Sequence, residues 1–422
     1  MNFLTEYLNF NSGNEVNEHY HIWSALSAMS AMISRKVWID QGYFKVYPLL
    51  YVVLLGPPGN GKTTAMGIAK KLVRSVGDIP FSAECQSKEN LVKLFMTYER
   101  QVTTPGGGGT PHVYTPMAVF VTELSQFIGI DPVKMIDFLV TVYDADVYDM
   151  STQKHGLQFI NGPFLSMLAC TTSDWVTNYL KSDIITGGFS RRAVFVLETW
   201  ESNKRVPRPI VTPEMNASFA ACIQRGNELK QLCGPMSWDP EAAKWYDDWY
   251  MKRVLTSDTN VAPFDKTKPT LVIKIAMLLS LAKGNSLVLT LEDLQVALAM
   301  LDKIQVQLPS VFSSIGRNEL SAVSARCEQI LRSAGTPLPM KEVQAKLWAY
   351  ANTAEQYQVF NYMVGVGTLY QLSISGPTGP RQWLALPEQV AALKELQSQA
   401  AAPPASTSEG SAPSVDQPTA PT

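Results

Sequence analysis

Val52-Val53-Leu54-Leu55-Gly56-Pro57-Pro58-Gly59-Asn60-Gly61-Lys62-Thr63-Thr64 is the stretch on which the reading of this chain turns. Its four leading apolar residues predict a buried strand, and the periodicity after Lys62 predicts a helix. Between them, Gly56 to Thr63 fills the pattern G-x-x-x-x-G-K-[ST] in full, in the strand–loop–helix setting that the pattern requires. Glycines let consecutive backbone N–H groups curl round a phosphate, and the helix N-terminus adds its positive end. In such a loop Lys62 bridges β- and γ-phosphate oxygens and the Thr63 hydroxyl ligates Mg²⁺. Gly56, Pro57, Pro58, Gly59, Asn60, Gly61 and Thr64 complete the expected nucleotide contact. The expectation is a P-loop that binds and hydrolyses a nucleoside triphosphate, ATP with Mg²⁺.

Working outward, Met117–Val121, Phe164–Cys170 and Ala193–Leu197 are further unbroken apolar runs separated by helical patterns. Buried strands alternating with helices predict an α/β fold whose mostly parallel sheet is covered on both faces. Residues 1–45 read as a helical prelude, rich in Ala, Ser and Met over His21–Ser34. Ser87 is the expected cap of a helix running to about Arg100. Thr103–Pro116, with four consecutive glycines, reads as a surface insertion. Residues 46–210 make the ATPase core, and 211–312 a helical lid, helical throughout. Over 321–390, three helical patterns and two β-like pieces predict a winged-helix domain. The Ala/Pro/Ser/Thr-rich tail, 397–422, is expected to be disordered.

The motif after each strand carries the chemistry. Met117–Val121 ends in Thr122-Glu123, where nucleotide hydrolases place the acidic residues of a Walker B motif. Two assignments stand: Glu123 is the catalytic base, with Mg²⁺ held through water by Thr122 and Thr63, or Glu123 serves the metal and the base lies elsewhere. At the tip of the next strand Thr171 and Thr172 (then Ser173) are candidate sensors of the γ-phosphate. Arg191 and Arg192, just before the fourth strand, are candidates for an arginine finger reaching a neighbouring subunit, a catalytic role in trans. Lys268 and Lys274 are further candidates for a second sensor. Tyr148–Ile160 reads as a β-hairpin with Lys154 and His155 at its turn, a lysine for phosphate and a histidine for stacking.

Composition narrows the classes. The chain has 422 residues, 46% hydrophobic and 17% charged, with a formal charge of -2; no overall cationic field advertises nucleic acid. Five cysteines without a C-x-x-C pair argue against a zinc site or a disulfide framework and for a reducing cytoplasm. The N-terminus lacks a signal-peptide pattern, and Leu271–Ala282 is too short to span a bilayer, so no membrane is expected.

The order P-loop, strand with Glu123, hairpin with Lys154-His155, sensor strand and Arg191-Arg192 resembles AAA+-type ring helicases. It is similar in particular to the superfamily 3 viral replicative helicases and to the DUF3987 group of phage and bacterial helicase-like proteins. The resemblance spans about residues 15–310; Thr122, where the pattern has Asp, departs from it. It implies an AAA+/RecA-like core in a ring-forming hexamer that moves on single-stranded DNA in replication, with possible replication protein partners. It implies ATP hydrolysis by Lys62, Thr63 and Glu123, action of Arg191 or Arg192 in trans, a DNA grip by Lys154 and His155, and a bacterial or phage-infected cytoplasm. The alternative is a loader or switch ATPase that remodels a protein partner on DNA without unwinding it. Thr353–Val364, where a winged helix would read DNA, has no basic side chain, which suits protein contact equally well.

Overall fold

A computed structural model describes residues 2–103, 111–129, 131–152, 156–172, 188–198, 206–258, 260–312, 319–376 and 379–401. The chain divides into two compact units, Met1–Gly316 and Arg317–Thr422.

The first unit is mixed α/β. Helices α1 (Phe3–Asn11) and α2 (Glu18–Ile33) open it; Asn17 caps α2 by accepting from the His19 amide at 2.9 Å. From Tyr20 on, α2 is buried on nearly every side, a helix of small and apolar residues enclosed by the core. Two short strands follow, β1 (Val37–Asp40) and β2 (Lys45–Val46), so the prelude is not helical to its end.

The central sheet begins with β3 (Tyr51–Leu55), buried at all five positions, and α3 (Lys62–Val76) follows, packed against α2. After α4 (Lys88–Met96), capped as expected by Ser87, come β4 (Arg100–Val102) and β5 (His112–Val121). Strand β5 takes in His112–Pro116, the last five residues of what reads in sequence as an insertion. Its first residues pair antiparallel with β4 and then parallel with the next core strand, which extends the strand past the apolar run. Helices α5 (Leu124–Ile128) and α6 (Pro132–Asp144) lead to the hairpin β6 (Val147–Thr152) and β7 (Gly156–Asn161), then β8 (Pro163–Thr171) and β9 (Ala193–Leu197). The strand order is β4-β5-β8-β3-β9, parallel except for β4.

The remainder of the unit is α7 (Pro213–Gln231), β10 (Gly234–Trp238), α8 (Pro240–Lys252), α9 (Ala262–Lys283), β11 (Val288–Leu289) and α10 (Leu291–Phe312). This stretch is not helical throughout. Strands β10 and β11 join β1 and β2 in a second sheet of order β11-β10-β1-β2. Its β1–β10 pairing joins Val37 to Gly234 across nearly 200 residues, a contact that no local pattern announces. One hydrophobic core runs from Phe3 through Tyr51, Val119 and Leu168 to Leu278 and Phe312.

The second unit has its own core. Helices α11 (Glu319–Ala334), α12 (Met340–Leu347) and α13 (Thr353–Gly365) close round Cys327, Leu331, Val343, Leu347 and Phe360. Strands β12 (Leu338–Pro339), β13 (Tyr370–Gly376) and β14 (Gly379–Ala385) form a sheet of order β12-β14-β13, and α14 (Val390–Ala401) follows. Asn352 and Glu355 cap α13 reciprocally, each side chain taking the other's amide. Among the described residues no helix is long and apolar enough to cross a membrane.

Candidate functional site

The Gly56–Thr63 loop leaves the carboxyl end of β3, where ligands of open α/β sheets bind. Gly59 and Gly61 hold φ of +82° and +76°, the left-handed region that glycine enters without steric penalty. A side chain on Gly61 would meet Val16 Cγ2 at 2.7 Å, and one on Gly56 would meet the Tyr20 hydroxyl at 2.5 Å and the Glu198 carbonyl at 2.7 Å. The loop is thus pinned against α2 and the end of β9. Asn60 Nδ2 donates to Glu198 O (2.8 Å) and to the Tyr20 hydroxyl (3.2 Å), which itself donates to Leu55 O. Glu198 closes the ring by accepting from His19 Nδ1 (2.6 Å) and Asn17 Nδ2 (2.9 Å).

Within the loop Lys62 folds back, its ammonium donating to Gly56 O and Pro57 O, both at 2.7 Å. Burial pushes its pKa down, with Cys170 and Glu123 opposing. The side chain therefore sits in the hollow of the loop, bonded to weak neutral acceptors that a charged oxygen would displace. Thr63 and Thr64 are exposed, and Gly61 caps α3 without any side-chain acceptor for the first amides.

Two strand tips meet beside the loop. Thr171, at the end of β8 and 1% exposed, donates to Glu123 Oε1 at 3.4 Å, and Ser125 donates to the same oxygen at 3.3 Å. Of the sensor candidates, Thr171 touches the carboxylate, and Thr172 is half-buried one residue beyond. Lys154 and His155 lie outside the described residues; the strands that lead to them pair in register down to Thr152 and Gly156.

Glu84 is a residue that sequence reasoning missed. Its Oε2 accepts from the Thr122 amide (2.8 Å) and hydroxyl (2.9 Å), and its Oε1 from Lys70 Nζ (2.7 Å). Burial pushes this carboxyl up, but the Lys70 and Thr122 hydrogen bonds outweigh it and hold the pKa below the usual value. A second carboxylate thus stands where Thr122 replaces the expected Asp. No local pattern marks it: the Phe81–Ala118 bridge that brings residues 81–84 alongside β5 forms only in the fold.

Arg191 and Arg192 stand at the other end of the sheet. Tyr51 pairs with Ala193 and Leu55 with Leu197, so the arginines precede β9 at its amino end while the loop leaves β3 at its carboxyl end. Five residues of strand separate these edges by about 16 Å. Arg192 is buried and bonded to Asp144 Oδ2 through Nε (3.0 Å) and Nη2 (2.6 Å); Arg191 is half-buried. Lys268 does not face the loop: Asp302 and Gln305 take its ammonium. Lys274 also sits at the amino edge, over the Tyr143 ring at 3.9 Å, so neither lysine completes the Gly56–Thr63 site of its own chain.

Among the described residues no group of three or more His, Cys, Asp or Glu side chains is arranged to hold a metal ion. The five cysteines are free thiols. No protein-family model matches the chain, and no curated protein matches it.

Proposed function

We propose that this chain is an ATP- and Mg²⁺-dependent P-loop ATPase that couples hydrolysis to movement along single-stranded DNA in replication, working as a ring, in the first place a hexamer. The observation that carries the nucleotide reading is the convergence at one sheet edge of the Gly56–Thr63 loop, the Lys62 ammonium, Glu123 and Thr171. A triphosphate fits this set. Its oxygens would replace the carbonyls of Gly56 and Pro57 around Lys62, and the exposed Thr63 hydroxyl and Glu123 would hold Mg²⁺, which supplies charge neutralisation of the phosphates. Thr171 positions Glu123, as a sensor would. The Glu84 carboxylate orients Thr122 and offers the acidic charge that the departure from Asp removes.

Arginines one strand-length from their own loop act only on another copy's nucleotide, which supports a finger in trans. The Asp144 pairing of Arg192 makes Arg191 the better finger. The β6–β7 hairpin, directly before β8, supports a channel-facing role for Lys154 and His155. The three helices and small sheet of the second unit support the winged-helix reading. One observation favours the alternative of a loader or switch acting on a protein partner: α13 has no basic residue, and it exposes Tyr357 and Tyr362.

The test is the ATPase rate of the full chain with and without single-stranded DNA, read beside its mass with ATP bound. Strong stimulation of a hexamer-sized particle supports the translocase, and turnover indifferent to DNA in a monomer or dimer moves the reading to the switch. Turnover that survives in Lys62→Ala would overturn the nucleotide site itself.

A further inference from the structure

A cavity of about 320 Å³ opens at the amino ends of β3, β8 and β9, the edge opposite the Gly56–Thr63 loop. Five basic side chains line it (Arg35, Lys45, Arg191, Arg192 and Lys274) against two acidic ones, Asp144 and Asp146. Two of the cations have fixed partners. Arg35 donates to Ala145 O (2.8 Å), Pro163 O (3.0 Å) and Asp146, and Arg192 is held by Asp144 and by Gly188 O at 3.1 Å. Both carboxylates face mostly outward, with side chains 59% and 91% exposed, so water shares their charge.

Lys274 is different. It is 4% exposed, in the middle of the apolar helix α9, and no oxygen of the described residues accepts a hydrogen bond from its ammonium. Its neighbour is the face of Tyr143 at 3.9 Å. A cation–π contact replaces only a small part of the hydration that a buried ammonium loses, and unpaired buried charge is strongly unfavourable. Burial accordingly depresses its pKa to about 7, with Asp144 opposing and Arg192 and Arg35 adding to the depression. The Thr267 and Thr270 side chains, on the same helix, also line the cavity. A lysine without an acceptor among the described residues, facing a basic cavity of ligand size, is arranged for an anion from outside.

We propose that this cavity binds a phosphoanion, a phosphate or short polyphosphate group, with Lys274 and Arg191 as its cationic ligands and Arg35 and Arg192 as a fixed rear wall. The site is separate from the Gly56–Thr63 loop and stands whether or not that loop binds nucleotide. The phosphate has two sources, a free phosphate-bearing small molecule or, on the ATPase reading above, the nucleotide held by a second copy of this chain.

The experiment uses the full chain carrying Lys62→Ala, which disables the loop, and titrates it calorimetrically with inorganic tripolyphosphate. A free-ligand site gives binding in Lys62→Ala that falls at least tenfold in Lys62→Ala/Lys274→Met and returns in Lys62→Ala/Lys274→Arg. Lys274→Met should melt no lower than its parent, which separates lost binding from lost folding. If tripolyphosphate does not bind, Lys62→Ala chains are mixed with Lys274→Met chains, each inactive alone. ATPase activity recovered in the mixture assigns the phosphate to the neighbour's nucleotide. Equal binding in Lys62→Ala and its Lys274→Met derivative overturns the proposal, and so does the absence of both binding and recovery. A wild-type chain without ATPase activity removes the second source and leaves the calorimetric arm to decide.

Discussion

Gly61→Ala tests whether the loop geometry argued above is the one the protein depends on. Gly61 sits at φ +76°, where an added Cβ also meets Val16 Cγ2 at 2.7 Å, closer than real Cβ contacts come. The left-handed conformation costs an L-residue about 1–2 kcal/mol, and forcing a methyl into a filled space costs about 1–3 kcal/mol, so together roughly 2–5 kcal/mol. For a unit of 316 residues, at about 2.1 cal/mol/K of unfolding entropy per residue, that is a fall of roughly 3–8 °C in Tm. The two parts separate in a double variant. Val16→Ala removes both Cγ atoms, so Gly61→Ala/Val16→Ala should recover the packing part and leave the backbone part in place. Thermal unfolding of the four proteins gives the coupling, and equilibrium binding of an ATP analogue gives the consequence for the site. Gly61→Ala with an unchanged Tm and unchanged affinity would refute both the left-handed assignment and the Val16 contact.

Three further outcomes are expected. Thr171→Val keeps the shape of the β8 tip but removes the donor to Glu123 Oε1; kcat should fall on the order of 10²-fold with the KM for ATP nearly unchanged, and an unaltered kcat in steady-state assays would exclude Thr171 from the site. His19 has its pKa raised by the Glu198 hydrogen bond, with burial opposing. A raised folded-state pKa gives stability that is complete below the unfolded value of about 6.5 and lost as pH rises through the folded value. The denaturant midpoint of wild type relative to His19→Gln should therefore shrink between pH 6 and pH 9; a constant difference would contradict it. Phe360→Ala empties the centre of the second unit's own core and should cost about 3–5 kcal/mol. Hydrogen exchange should show the loss of protection confined to residues 319–401, and loss spread into the first unit would contradict the separation of the cores.

Local signals were legible where one element carries its own pattern. Tyr51–Leu55 and Ala193–Leu197 are buried at every position, and an apolar run of that length bounded by a glycine or by arginines has few other uses. The Ser87 cap and the β6–β7 hairpin were legible for the same reason. What escaped was non-local. The 1–45 and 211–312 segments read as helical because β1, β10 and β11 are two to five residues long, and each is a strand only by virtue of its partner. Glu84 escaped because its role comes from Thr122, 38 residues on, and from Lys70 on α3. The anchoring of the loop by Tyr20 and Glu198 escaped likewise: neither lies in the motif, and both reach it only once α2 and β9 are in place.

A parallel sheet imposes one further regularity. When neighbouring strands run the same way, whatever follows each strand collects at one edge and whatever precedes it collects at the other. Gly56 follows β3, Glu123 follows β5 and Thr171 ends β8, so the loop, the carboxylate and the hydroxyl share the carboxyl edge. Arg191 and Arg192 precede β9, and Pro163 begins β8, so the cations meet at the amino edge with Leu49 and Lys274. The formal charge of -2 averages over this sorting and hides it. Arg35, Lys45, Arg191, Arg192 and Lys274 come from separate stretches of the chain with no basic run longer than a pair, yet they line one cavity. Net charge therefore says little about where this chain gathers its cations. For Arg191 and Arg192 the relevant quantity is the side of β9 that they flank; Arg35, Lys45 and Lys274 come to the same edge from beside β1, from β2 and from α9, through packing that only the fold shows.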